Sequence, residues 1–134
     1  RRHPTVRTAG DPVTHALIAA CVVAHGAVHA IMFGLALIPD VKSDMAQNGF
    51  RPSHSWLIGE TPVAAFIAGL GVTLAFAIAG GAILWRANWW PAILLGAAGA
   101  SLLLLALYAS QYWVVGYLIN IVLIVAAWRS LRSG

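Results

Sequence analysis

Four long apolar stretches joined by short polar ones set the plan of the chain: residues 13–38, 61–85, 89–110 and, shorter, 112–128. A helix needs about 20 consecutive apolar residues to cross a bilayer. The pattern therefore predicts an all-α protein, a single-domain integral membrane four-helix bundle, with residues 39–60 as its one long loop. Asp11-Pro12 and Glu60-Thr61-Pro62 each set a capping side chain before a proline, a combination that opens a helix. Pro39-Asp40 closes the first run, and Arg86-Ala87-Asn88 and Ser110-Gln111 make the later turns. Trp85, Trp89 and Trp90 mark one membrane face, since indoles favour the headgroup level. In the loop, Asn48-Gly49 and Arg51-Pro52 are turn signals, Trp56, Leu57 and Ile58 suit the headgroup region, and a short interfacial helix is one reading.

Small residues predict which sides of the helices meet. Gly69, Gly71, Gly80 and Gly81 make the second helix suited to close approach. In the third, Gly96, Gly99 and Ala100 are expected on the packed side, and Leu102, Leu103, Leu104 and Leu105 toward lipid.

Composition agrees with this plan. The chain is 60% hydrophobic and only 9% charged, with a mean hydropathy of +0.83, which excludes an ordinary soluble domain. The net charge of +4 does not point to nucleic acid, because the basic residues sit at helix ends where anionic lipid accounts for them. Arg1, Arg2, Arg7, Arg86, Arg129 and Arg132, six of the eight cations, collect on one face, with only Lys42 and Arg51 on the other. The positive-inside rule then predicts a multi-pass protein with both termini cytoplasmic and the long loop facing out. The lone Cys21 excludes an internal disulfide. The first run is too long for a cleavable signal peptide, and a start at Arg1 suggests an upstream piece.

Candidate chemistry concentrates in the first helix, where His15, Cys21, His25, His29 and Met32 interrupt a run without charge. At about 100° per residue, with His25 at 0°, Cys21 falls near −40°, Met32 near −20°, His29 near +40° and His15 near +80°. His25 and His29 are about 6 Å apart along the axis, a spacing that suits two ligands of one metal. Cys21 and Met32 would add soft donors, favouring copper or zinc. The plainer reading is that these imidazoles pack between helices and bond to a Ser, an Asn or a carbonyl. A bis-His haem lacks its second ligand, because the other three helices contain no His, although a single axial His to a chlorophyll-type pigment would find room beside Gly26.

The helix midpoints fall near His25, Thr73, Ser101 and Asn120, one polar side chain each. As packing bonds these are worth about 0.6 kcal/mol apiece. Antiparallel order puts His25 level with Asn120 and His29 near the height of Tyr117, so the first and fourth helices are expected to be neighbours around a neutral His25. Outside the helices, His54 with Asp40, Asp44 and Glu60 is a candidate cation site, though exposed loops carry such residues routinely. No Asp, Glu, Lys or Arg lies within any predicted span, which disfavours a transporter or channel. No phosphate loop, nucleophile elbow or carboxylate pair supports an enzyme.

The element His25-Gly26-Ala27-Val28-His29 in the first span, followed by a polar loop, three Gly/Ala/Trp-rich spans and the Trp89-Trp90 pair, resembles a set of uncharacterised small bacterial membrane proteins with HGxxH in their first helix. The resemblance covers most of the chain and implies the four-helix architecture without an activity. The leading expectation is a non-catalytic accessory subunit of a larger respiratory or photosynthetic complex, partnered by other membrane subunits and lipids. The alternative is an electron-transfer protein that binds a metal, haem, pigment or quinone through His25 and His29.

Overall fold

In a computed structural model that describes residues 11–133, the chain forms five helices and one minimal hairpin. Helix α1 is Pro12–Leu35, α2 Pro39–Gln47, α3 Pro62–Leu84, α4 Trp90–Leu107 and α5 Val114–Ser133, the last entered through a 3-10 turn at Gln111–Trp113. Strands β1 (His54–Ser55) and β2 (Gly59–Glu60) pair antiparallel between α2 and α3. Four helical segments are long and apolar enough to cross a membrane: α1, α3, α4 and Gln111–Ser133. Arg1, Arg2 and Arg7, half of the basic face read from the sequence, lie outside the described residues.

The caps show why the elements begin where they do. The Asp11 carboxylate accepts the Val13 N–H at 3.2 Å and Pro12 occupies the first turn, so α1 starts one residue before the apolar run. It stops at Leu35, short of the expected 38. Pro39 opens α2, since proline is tolerated in a first turn and the chain has already bent at Ala36-Leu37-Ile38. The loop's short helix is thus at its beginning, whereas exposed Trp56, Leu57 and Ile58 occupy the hairpin turn. The fourth segment is not short: α5 continues through Arg129 and Arg132 to Ser133, with the Arg132 guanidinium 4.7 Å from the Trp128 ring centroid. The shortest is α4, at 18 residues.

Helix α1 runs antiparallel on α3 along the closest seam in the molecule. The buried positions of α1 are Ala19, Val22, Gly26, His29 and Phe33, spaced by three and four, and Ala65, Gly69, Val72, Phe76, Ala79 and Gly80 of α3 follow the same spacing. A Cβ on Gly26 would lie 2.5 Å from Phe76 Cβ, and one on Gly80 would lie 2.5 Å from Val23 Cγ2 and 3.2 Å from Ala19 O. Only glycine lets the two backbones come this near.

Helix α4 packs between α3 and α5 through Leu94, Ala97, Ala98, Ser101, Leu104 and Leu105. This overturns most of the expected orientation, which holds at Leu103, 70% exposed. A Cβ on Gly96 or Gly99 would meet nothing within 4 Å, while Leu104 and Leu105 are buried. Because α4 is apolar all round, its composition does not pick a face, and its one polar side chain, Ser101, marks the inward one. α1 and α5 are not closely packed on each other.

On the loop side, Glu60 ties α2 to the hairpin. Its carboxylate lies 2.7 Å from Lys42 Nζ and 3.3 Å from His54 Nδ1, and accepts the Ser53 hydroxyl at 3.2 Å. The Lys42 ammonium holds this carboxyl below its ordinary range, with Ser53 and His54 adding to the effect against partial burial. The candidate cation site of His54, Asp40, Asp44 and Glu60 therefore does not assemble. The protein's own lysine takes Glu60, and no group of three or more His, Cys, Asp or Glu fit for a metal occurs among the described residues.

Candidate functional site

Three of the four mid-helix polar residues, His25, Ser101 and Asn120, join His29 in one hydrogen-bonded network across α1, α4 and α5. Asn120 of α5 is fully buried, with Nδ2 2.9 Å from Gly116 O and 2.8 Å from Ser101 Oγ. A carbonyl oxygen only accepts, so the atom facing Gly116 O is the amide nitrogen and Oδ1 faces α1. His25 Nε2 lies 3.2 Å from that Oδ1 and must donate to it. His29 Nδ1, 3.3 Å from the His25 carbonyl, must likewise carry its proton. The bare Nε2 of His29 then accepts the Ser101 hydroxyl at 2.8 Å. The donors run one way: His25 to Asn120, Asn120 to Ser101, Ser101 to His29, and His29 back to the backbone of α1. Each of these side-chain groups is satisfied, with one exception. With one proton on each ring, His25 Nδ1 retains a lone pair and no partner among the described residues.

Thr73, the fourth midplane residue, serves the α1–α3 seam instead. Its Oγ1 lies 2.7 Å from Gly26 O and 2.9 Å from Gly69 O and accepts the Ala30 N–H at 3.2 Å. Tyr117 does not meet His29 as their matching heights suggested; its hydroxyl donates to Leu105 O at 2.8 Å, and His29 takes the nearer Ser101.

The stripe on α1 divides according to where the buried face is centred. Ala19, Val22, Gly26, His29 and Phe33 average near +80° on the same wheel. His29 falls well inside that face, His25 and Met32 fall on its edge and are half-buried, and Cys21 lies beyond it and is exposed. His15, inside the face in angle but at the helix start, has Nδ1 3.2 Å from Asp11 O.

Where α1 and α5 stand apart, α2 covers the gap and leaves a cleft of about 660 Å³. His25 and His29 lie at its inner end and Met32 along its side; Met45 of α2 and Asn48 just after it close its top, and Leu105, Trp113, Gly116 and Ile119 form the far wall. Aromatic packing holds that wall: Trp113 Nε1 donates to Tyr108 O at 2.8 Å, and its ring stands 5.1 Å from Phe50 and 6.0 Å from Phe33. Tyr112 pins α2 by donating from its hydroxyl to Asn48 O at 2.8 Å. The cleft opens sideways between the helices, since Val28 and Val115 line it while 46% and 65% exposed. Sequence reasoning found the histidines and missed this wall. Trp113, set in a 3-10 turn rather than in a helix, was the available signal.

This arrangement bears on the candidate ligands. A metal held by His25, His29, Cys21 and Met32 does not fit: Cys21 is turned out of the cleft, and both nitrogens of His29 are already bonded to protein. Haem or pigment ligation through Nε2 of either histidine would leave Asn120 Oδ1 without a donor or the Ser101 O–H without an acceptor at the centre of the bundle. A cleft of this size and apolar lining fits a lipophilic ring compound. No protein-family model, curated protein or solved structure matches this chain.

Proposed function

We propose that this chain is a multi-pass protein of the bacterial inner membrane, termini cytoplasmic, that holds a lipophilic ring compound of the quinone class in the lateral cleft. The observation that carries this reading is the unspent nitrogen of His25 at the inner end of an aromatic-walled, sideways-open apolar cleft. A molecule dissolved in the bilayer would enter between α1 and α5. The ring would lie against Trp113 and Leu105, its head group would stand beside His25, and its tail would leave past Val28 and Val115. The protein would then serve electron transport by holding such a molecule for other subunits, without catalysis of its own. The test is saturable quenching of tryptophan fluorescence by decyl-benzoquinone in nanodiscs. The double substitution Val28→Phe with Ile119→Phe, which fills the cleft, should abolish saturation. Quenching that rises linearly with membrane concentration in both forms would end the proposal.

A second reading, an accessory subunit of a respiratory or photosynthetic complex, is supported by Gly96 and Gly99, where an added Cβ would meet nothing within 4 Å. Small residues on an outer face suit close approach of a foreign helix. Native purification with mass spectrometry tests it: Gly96→Leu should release co-purifying chains while leaving the isolated fold intact.

A further inference from the structure

The direction of the hydrogen bonds around His25 determines what kind of head group the cleft accepts. Gly116 O and the His25 carbonyl can only accept, and these two atoms fix the orientation of Asn120 and the tautomer of His29. The fixed Asn120 Oδ1 in turn requires the proton of His25 on Nε2. What remains for the cleft is a lone pair on Nδ1, an acceptor. Among the described residues no buried side-chain nitrogen or oxygen lacks a partner, so Nδ1 is not sealed inside the bundle, and the open space beside His25 is the cleft.

No neighbouring side chain offers an easy reversal. His29 faces His25 edge-on at 5.5 Å with both nitrogens engaged, and Phe76 stands at 5.2 Å on another side. The nearest acid lining the cleft is Asp44, on α2 at the far end. Moving the His25 proton to Nδ1 to offer it to the cleft would set a bare Nε2 against Asn120 Oδ1, acceptor against acceptor. An oxygen with no hydrogen, such as a quinone carbonyl or an ether, meets the same conflict at Nδ1. A hydroxyl does not.

We infer that the cleft selects ligands that present an O–H to His25, and so favours the hydroquinone form, or another lipophilic phenol, over the quinone. The inference rests on the cleft being a ligand site, as proposed above. It assigns the protein a preference for the reduced form and requires no electron to move within this chain.

The experiment uses the whole protein in nanodiscs, with decyl-benzoquinone as the quenching probe and two competitors of nearly equal shape, 4-decylphenol and 4-decylanisole. The phenol should displace the probe at about tenfold lower membrane concentration, the ratio that one neutral hydrogen bond sets. In His25→Phe the two competitors should become equal. A second measurement needs no variant: in ¹⁵N-histidine spectra of the wild-type protein, the bare nitrogen of His25 should shift with the phenol and stay in place with the anisole. Equal displacement by phenol and anisole in the wild type, or a preference that persists in His25→Phe, would overturn the inference and leave the cleft reading standing. A spectrum with the proton of His25 on Nδ1 would do the same. If the probe shows no saturable binding and nothing displaces it, the cleft reading itself fails, and the preference with it.

Discussion

Helix α1 has two unlike flanks. Against α3 it is sealed: glycine meets phenylalanine and valine at distances that leave no room for one methyl group, and Thr73 stitches the backbones together. Against α5 it is open: one side-chain bond, His25 to Asn120, crosses at mid-depth, and above it the cleft separates the helices. The first flank uses steric fit and the second uses hydrogen-bond direction. Each should fail in its own way.

The largest effect is expected on the sealed side. Gly26→Leu would drive four heavy atoms into Phe76 and should cost about 3 kcal/mol or more, enough to unfold the bundle in mild detergent. Denaturant titration followed by circular dichroism measures it. A cost below that of Gly116→Ala, whose Cβ would meet only the flexible end of Leu105 at 3.1 Å, would show that the seam is not tight.

Next comes the network behind the open side. Ser101→Ala removes one acceptor and one donor at once, leaving Asn120 Nδ2 one bond short and His29 Nε2 unpartnered. The expected loss is about 2 kcal/mol. A double-mutant cycle of Ser101→Ala with His29→Leu should recover a clear coupling, and additive losses would contradict the contact. A smaller change follows for His25→Leu, about 1 kcal/mol, because its partner Asn120 Oδ1 is orphaned while the cleft side loses no protein contact. His54→Leu, on an exposed loop, should stay within about 0.5 kcal/mol. Equal costs for the two histidines would erase the distinction between bundle and loop.

The smallest effect concerns the roof of the cleft. Glu60 is about two-fifths exposed, so its pairing with Lys42 is screened and should be worth well under about 1 kcal/mol. The carboxyl is held below its ordinary value of 4.5, so its contribution is present at neutral pH and is lost as pH falls through the depressed folded value. The stability gap between the wild type and Glu60→Gln should therefore be widest near pH 7 and close in acid. A gap that widens on acidification would reverse the assignment.

The one polar link of the open flank was legible in the sequence, and the sealed flank only through its glycines. Four runs without charge announced four long helices, and equal depths paired His25 with Asn120, although α1 packs along α3 and not along α5. Depth does not fix azimuth, however. Tyr117 sat near the right height for His29 and turned to a backbone carbonyl, because Ser101 lay closer to the ring. Gly96 and Gly99 advertised close packing without saying against what, and they face away from this chain. The cleft was invisible for a different reason. It belongs to no element, but to the space left where α1 and α5 diverge under α2.

The shortness of α4 has a consequence for the surrounding lipid. Its 18 residues rise about 27 Å, while the 24 of α1 and 23 of α3 rise about 36 and 35 Å. A bilayer's hydrocarbon core is about 30 Å thick, so α1 and α3 can meet it by tilting and α4 cannot. In a bilayer, lipid beside α4 would thin or flanking side chains would reach outward, and the same bundle should rest more easily in a membrane of shorter acyl chains. In that respect α4 acts as a thickness gauge: stability measured across phosphatidylcholines of increasing chain length should peak early and fall as the bilayer outgrows this one helix.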